Sequence, residues 1–279
     1  MLVNNILEEK SFQFTEDKPS MISRSSEIAD LNDIVDYCNS IQEKVEYTYD
    51  LYDVYVQRDV TLVDCLYAGI GDIKEDDKRL IMEMLEKKCN SKLNEAYEKS
   101  IMISLGEYQG CAHNYSMYLE ERRNILSKCS KASEYEAFMH SCFPNSCFAK
   151  NILSEMKYIK NFSENAKEIT DCLSFLDDEA ITLYKKYRTD LKTAMDIISG
   201  KLRKCSPESS SHLSEVLFTF EYDECLNGEN IAREKEVECS PHLKLIRGDS
   251  NLRIYFQWCD KDVGEGEKVL IGRIGRHPY

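Results

Sequence analysis

The sequence contains no hydrophobic run that approaches the roughly 20 apolar residues needed to cross a membrane. Its N-terminus, MLVNNILEEKSFQF, also lacks the basic segment and the apolar stretch that together mark a signal peptide. We therefore expect a cytoplasmic protein that has no membrane partner.

Positive charge is in short supply. The 279 residues include 36 Lys and Arg against 50 Asp and Glu, which gives a formal net charge of −14. Because proteins bind the phosphates of nucleic acids through surplus cations, this balance argues against a general affinity for DNA or RNA. Any nucleic-acid site must be a local basic patch.

Paired cysteine motifs are missing as well. Twelve cysteines are scattered along the chain and none forms a C-x-x-C pair. Reduced cysteines in the cytosol usually behave as small buried hydrophobic residues. The segment HSCFPNSC groups His140, Cys142 and Cys147, but a zinc site needs four converging ligands. We expect packed thiols there, and no metal or other cofactor.

Proline is rare in the first two thirds of the chain, where Pro144 is the only one between Pro19 and Pro207. Long helices are therefore allowed in this region. Apolar residues recur at helical spacing in four segments. These segments are 28–45, 80–97, 114–128 and 169–198. The last one ends at Gly200, a candidate C-terminal cap, and Asp177 and Asp178 could divide it into two helices.

The pattern changes after GKLRKCSPESSSH, which resembles a linker. The segments EVLFTFEYD, LKLIR, NLRIYFQWCD and KVLIGRIG are typical of strands, and CDKDVGEGEK is typical of a hairpin loop. The predicted fold class is α+β. An irregular N-terminal helical bundle, residues 1–205, is followed by a small antiparallel β-rich domain, residues 206–279.

The segment NLRIYFQW has two different faces. Four apolar residues alternate with Arg253, Tyr255 and Gln257, and alternate side chains of a strand point to opposite sides of the sheet. If this strand pairs with the last one, Arg253 lies near Arg273 or Arg276. Arginines can hold phosphate oxygens in a fork and stabilise charge in a transition state, and a tyrosine or histidine can move protons. The same side chains could equally serve a half-exposed structural face.

The segments HLKLIRGDSNLRIYFQW and VLIGRIGRHPY resemble the C-terminal half of RelE-type ribonuclease toxins and of HigB-like proteins. The resemblance covers about the last 40 residues, and it implies RNA cleavage without a metal through attack of the ribose 2′-hydroxyl. By resemblance, Lys244 binds substrate or assists the base, Arg253 binds the phosphate, Arg273 or Arg276 stabilises charge, and His277 or Tyr279 is the terminal acid–base group. With the neighbours on the same strands, the candidate catalytic residues are Arg253, Arg273, Arg276, His277 and Tyr279, and the candidate substrate-binding residues are His242, Lys244, Tyr255 and Gln257.

The chain departs from that family in size and in charge, since the toxins are small and usually basic. They also place two helices between the first strand and the later sheet. Here only ECLNGENIAREKEVECS separates EVLFTFEYD from PHLKL, which leaves room for one short helix or for a hairpin.

Two functions remain open on the sequence. The first is a toxin or an anti-phage defence effector, in which the helical part senses a trigger or oligomerises and the β-rich part cuts RNA. The alternative is a non-enzymatic module that binds a partner protein through the tyrosine-rich segment containing Tyr47, Tyr49, Tyr52 and Tyr55. Convergence of Lys244, Arg253, Arg273 and His277 around an open pocket favours the first function, and pairing of these groups with carboxylates favours the second.

Overall fold

The computed structural model describes residues 3–15, 21–90, 99–226, 229–245 and 251–278. Contacts between backbone positions divide the chain into two compact units, Met1–Arg122 and Arg123–Tyr279. The predicted mixture of helices and strands is confirmed. No helix among the described residues is both long enough and apolar enough to span a membrane.

The first unit contains a sheet where the sequence predicted only helices. The strands of this unit are β1 Asn4–Leu7, β2 Val45–Glu46, β3 Tyr55–Gln57, β4 Val60–Thr61, β5 Cys89–Asn90 and β6 Ser100–Ile103. Its helices are α1 Ser25–Ser40, α2 Glu75–Glu83 and the first part of α3 Tyr115–Leu126, a helix that continues into the second unit. Strands β5, β2, β1 and β6 form a parallel sheet in that order.

The predicted N-terminal helical bundle is thus only partly confirmed, and strand length explains why the sheet was not predicted. The four strands of this sheet have two to four residues each, too few to show an alternating pattern. The apolar spacing of segment 28–45 continues past Ser40, where α1 ends, although Val45 already belongs to β2. In segment 80–97 the helix gives way to strand β5 at Cys89, and Leu93 and Tyr97 lie outside the described residues.

The second unit contains helices and strands throughout its length. The helices are α4 Ala132–Met139, α5 Ile152–Met156, α6 Phe162–Lys186 and α7 Leu191–Lys201. The strands are β7 Ser146–Phe148, β8 Cys205–Ser206, β9 Leu217–Leu226, β10 Glu229–Glu238, β11 His242–Lys244, β12 Leu252–Gln257 and β13 Val269–Arg276.

The predicted break at Asp177 and Asp178 does not occur, because both residues lie inside helix α6. The Asp177 carboxylate is buried and accepts hydrogen bonds from the Asn145 amide and the Ser146 hydroxyl. It also pairs with Arg123 at 2.8 Å. The chain instead leaves the helix after Lys186, and the Asp190 side chain caps the start of α7 by accepting from the Thr193 amide.

The predicted C-terminal hairpin is confirmed. Strands β12 and β13 pair antiparallel across a turn in which Gly264 and Glu265 adopt positive φ. They lie within a five-stranded sheet of order β7-β13-β12-β11-β8. The segment before β11 is a second hairpin, β9–β10, rather than a short helix.

The predicted domain boundary between residues 205 and 206 falls inside the second unit. Strand β7 pairs with β13, and β8 pairs with β11, so residues on both sides of that boundary complete one sheet. One apolar cluster likewise joins Ala149 to the C-terminal strands. The cluster consists of Ala149, Val216, Phe220, Val237, Cys239, Tyr255, Val263 and Leu270.

Candidate functional site

The register of the five-stranded sheet places most of the predicted site residues on one face. His242 lies opposite Tyr255, and Lys244 lies opposite Arg253. On the other side of β12, Tyr255 lies opposite Arg273. Directly opposed residues of antiparallel strands project from the same face of a sheet. Three strands therefore bring histidine, lysine, arginine and tyrosine side chains together.

The centre of this face is a carboxylate that the sequence did not single out. The Glu208 side chain is only 6 % exposed, and its Oε2 accepts a hydrogen bond of 3.1 Å from the Tyr255 hydroxyl. The same oxygen lies 3.7 Å from Nε2 of His277 and 3.9 Å from Nδ1 of His242. We call Glu208, His242, Lys244, Arg253, Tyr255 and His277 the Glu208 cluster.

His242 is neutral at physiological pH because the fold buries it. Its Nδ1 contacts the Ser240 carbonyl oxygen at 3.4 Å, and its Nε2 contacts the Ser206 hydroxyl at 3.3 Å. The carbonyl can only accept, so the neutral ring carries its proton on Nδ1. Burial lowers the pKa of His242 to about 4, against a smaller opposing effect of Glu208. This side chain therefore supports the site without changing charge near neutral pH.

His277 and Lys244 lie nearer the solvent than His242, and the pKa of each is lowered. Burial, reinforced by the charges of Arg253 and Lys244, lowers the pKa of His277, whereas Glu208 raises it. The pKa of Lys244 is lowered by burial first and then by Arg253 and Lys204. A neutral imidazole and an ammonium group that loses its proton more readily than usual thus lie on one face, a combination suited to proton transfer.

Tyr255 is fully buried, in contrast to its predicted role as a substrate-binding residue on an open face. Its ring lies 6.3 Å from that of Phe218 and 4.9 Å from that of His242. Only its hydroxyl reaches the polar centre, where it donates to Glu208. Tyr255 therefore positions the carboxylate and cannot stack on a ligand.

Three further predicted residues have other partners or positions and do not belong to the Glu208 cluster. Arg273 pairs with Glu155 at 2.7 Å and donates through Nε to the Arg276 carbonyl. Gln257 donates to the Glu238 carbonyl at 3.0 Å. Arg276 is exposed and lies opposite Leu252, on the other face of the sheet from Arg253. The remaining candidate, Tyr279, lies outside the described residues.

Sequence reasoning missed Glu208, Ser206 and Ser240. Ser206 and Glu208 lie in the stretch CSPESSSH, which was interpreted as a linker. Ser240 lies just before β11, the strand that pairs with β8. A single glutamate in a serine-rich segment carries no signal of burial. The pairing of β8 with β11 brings Glu208 close to the side chains of His242 and His277.

The candidate zinc-ligand group around His140 does not converge. His140 is exposed and its ring packs on Phe148, while the Cys142 thiol donates to the Phe138 carbonyl. Within the described residues no group of three His, Cys, Asp or Glu side chains could hold a metal ion. All twelve cysteines are described, and none forms a disulfide.

Comparison with known proteins gives no relative, since no family model, curated protein or solved structure matches this chain. The chemistry of the Glu208 cluster must therefore be judged from its own geometry. That geometry offers a neutral imidazole, a lysine and an arginine at the rim, supported by a buried carboxylate, a phenol and a second imidazole.

His242 predicts a specific dependence of stability on pH. Its folded-state pKa of about 4 lies below the ordinary value of 6.5, so the stability it contributes is complete above pH 6.5 and is lost as the pH falls towards 4. The total loss is about 3 kcal/mol. Urea unfolding of His242→Gln should show a smaller loss of stability than the wild type between neutral pH and pH 4. His140→Gln, which changes an exposed histidine, is the control, and equal pH dependence of all three proteins would contradict the assignment.

Proposed function

We propose that the second unit cleaves RNA through protein side chains alone, using the rim of the Glu208 cluster. The observation that supports this proposal is the proximity of three groups on adjacent strands: His277 follows β13, Arg253 lies on β12 and Lys244 lies on β11. The charge of Arg253 lowers the pKa of both Lys244 and His277, and the charge of Lys244 lowers that of His277. A phosphodiester is a ligand class whose negative charge suits such a set.

The proposed reaction needs one base, one acid and one charge-stabilising group. His277, neutral because its pKa is lowered, takes the proton from the ribose 2′-hydroxyl. The 2′-oxygen forms a bond to phosphorus as the bond to the 5′-oxygen breaks, which leaves a 2′,3′-cyclic phosphate. Lys244 gives its proton to the departing 5′-oxygen, and Arg253 stabilises the charge that builds on the phosphoryl oxygens.

This assignment modifies the roles implied by the resemblance to RelE-type toxins. Arg273 is held by Glu155, and Arg276 lies on the other face of the sheet, so Arg253 alone carries the charge-stabilising role. The cellular function that best fits such an activity is that of a cytoplasmic toxin or anti-phage effector. Its net charge of −14 confines binding of RNA to the cationic rim.

Incubation of the purified protein with total RNA in EDTA tests this proposal. We expect cleavage to persist in EDTA and the products to carry 2′,3′-cyclic phosphate ends. His277→Ala should lower the rate about a hundredfold or more, because general acid–base catalysis contributes at least that factor. Since the pKa of His277 is lowered, the rate should remain high when the pH is lowered to 6.5.

Lys261→Ala is the matched control, because it removes an exposed cation from the loop of the same hairpin. It should leave the rate unchanged, whereas Lys244→Ala and Arg253→Ala should lower it. Cleavage that disappears in EDTA, or that is equal in the wild type and His277→Ala, would show that the Glu208 cluster does not catalyse the reaction.

A second candidate function belongs to the first unit, and its exposed aromatic residues favour it. Tyr49, Tyr55 and Tyr67 are 66 %, 55 % and 50 % exposed. Tyr49 and Tyr52 lie in a short 3-10 helix, Tyr49–Asp53, and Tyr55 begins strand β3. Tyr47 is buried, and its ring packs on that of Tyr52. We propose that the exposed tyrosines bind a protein partner, a second copy of this chain being the simplest one.

Sedimentation velocity tests this second proposal. The wild type should dimerise with rising concentration, and the double variant Tyr49→Ser/Tyr55→Ser should weaken dimerisation about tenfold or more, because buried tyrosines contribute strongly to interfaces. Tyr158→Ser removes a similarly exposed tyrosine from the second unit and should have no effect. A wild type that stays monomeric, or that dimerises as the double variant does, would count against this surface.

A further inference from the structure

A row of three basic residues crosses the sheet of the second unit. Lys244 on β11 lies opposite Arg253 on β12. On its other side, β11 pairs antiparallel with β8, and Lys204 immediately precedes β8. The Lys244 amide donates to the Lys204 carbonyl at 3.0 Å, which extends this pairing by one position. Lys204, Lys244 and Arg253 therefore lie side by side, and we call them the cationic row.

Lys204 shares the face of the sheet that carries the Glu208 cluster. Ser206, two positions later, contacts the His242 ring of that cluster through its hydroxyl at 3.3 Å. Because alternate residues of a strand point to the same side, Lys204 and Ser206 project from one face. The charge of Lys204 also helps to lower the pKa of Lys244, after the larger effects of burial and Arg253. The two lysine side chains are therefore neighbours.

The cationic row lowers the stability of the sheet. Like charges that lie directly opposite each other on neighbouring strands repel and destabilise the pairing. Since neighbouring strands are about 4.8 Å apart, the three residues extend over roughly 10 Å. The chain has 36 basic against 50 acidic residues, so carboxylates that would relieve the repulsion are plentiful. A row of cations that is kept despite this supply points to an anionic ligand.

The cation next to Lys204 in sequence is compensated, whereas Lys204 is not. Arg203 forms an ion pair with the buried carboxylate of Glu168. Among the described residues, no carboxylate forms an ion pair with Lys204 or with Lys244. Lys204 is exposed and Lys244 is half-buried, so a ligand can reach both ammonium groups.

The order of the row determines which part of an RNA each cation meets. In the reaction proposed above, His277 takes the proton of the 2′-hydroxyl and Lys244 protonates the departing 5′-oxygen. Lys244 lies between Arg253 and Lys204, so Lys204 lies on the side of the departing nucleotide. The next negative charge on that side is the phosphate on the 3′-oxygen of the departing nucleotide. A strip of positive charge that follows one backbone is typical of single-strand binding.

We propose that Lys204 binds the phosphate on the 3′ side of the departing nucleotide, so that the preferred substrate is single-stranded RNA with two consecutive phosphates in the site. This inference rests on the RNA-cleaving function proposed for the second unit. Arg253 and Lys244 contact the phosphate that is cleaved, and Lys204 fixes the position of the strand by holding the one that follows. Lys204 lies outside the segments that resemble RelE-type toxins, so the resemblance does not imply this role.

Short RNAs that differ by one phosphate test this proposal. Mixed-sequence dinucleotides NpN carry only the phosphate that is cleaved, NpNp adds one on the 3′ side, and pNpN adds one on the 5′ side. The wild type should show a kcat/KM about tenfold higher for NpNp than for NpN, because one charge-assisted hydrogen bond is added. Lys204→Ala should lose this gain and cleave NpN as the wild type does, whereas Lys204→Arg should keep the gain.

Lys201→Ala is the matched control. It removes an exposed lysine three positions before Lys204, at the end of α7, where the ammonium group lies over the Phe175 ring. Because Lys201 is not part of the cationic row, this variant should retain the full gain from the 3′ phosphate.

Binding of analogues that cannot be cleaved separates this inference from the catalytic proposal. Analogues with a 2′-O-methyl group lack the attacking hydroxyl, and isothermal titration should show about tenfold tighter binding of NpNp than of NpN to the wild type. Lys204→Ala should bind the two analogues equally. If the wild type shows this preference but cleaves no RNA, binding of the 3′ phosphate by Lys204 is supported and the catalytic proposal fails.

The opposite results would overturn the phosphate site alone. RNA cleavage without any gain from the 3′ phosphate would contradict it, and so would a gain that Lys204→Ala retains. An equal gain from the 5′ phosphate of pNpN, or loss of the gain in Lys201→Ala as well, would indicate general attraction to positive charge and would also overturn it.

Discussion

The second unit is organised around one buried carboxylate, Glu208, which accepts a hydrogen bond from Tyr255 and lies within 4 Å of two histidine rings. A buried charge is tolerated only where hydrogen bonds and opposite charges compensate it. Here the phenol supplies the hydrogen bond, and Lys244 and Arg253 supply positive charge nearby. Strand β11 carries His242 and Lys244, β12 carries Arg253 and Tyr255, and His277 follows β13, so the pairing of these strands gathers the Glu208 cluster.

The same burial sets the chemistry of the rim. Loss of water lowers the pKa of both histidines and of Lys244, and the attraction of Glu208 offsets only part of this effect. The effect of desolvation on these pKa values is therefore larger than the effect of the nearby carboxylate, so the imidazoles stay neutral and able to accept protons. An acidic protein can thus maintain a small cationic surface whose proton affinity differs from that of the rest of its surface.

Alternation along a strand made the C-terminal hairpin predictable, because β12 and β13 are long enough to show it and GEG marks the turn between them. The proximity of Lys244, Arg253 and His277 followed from that pairing. The partner of Arg273 could not be predicted, since Glu155 lies 118 positions away in sequence. The parallel sheet of the first unit escaped prediction because strands of two to four residues carry no periodicity, and Glu208 because nothing in a serine-rich segment indicates burial.

Glu208 lies beside both imidazoles of the cluster, and an NMR titration of the histidine rings in the wild type and in Glu208→Gln tests that placement most directly. Because the negative charge of Glu208 raises the pKa of His242 and of His277, its removal should lower both values further. If the pKa values of His242 and His277 are the same in the two proteins, the cluster does not exist as described here and the proposed site in the second unit fails with it.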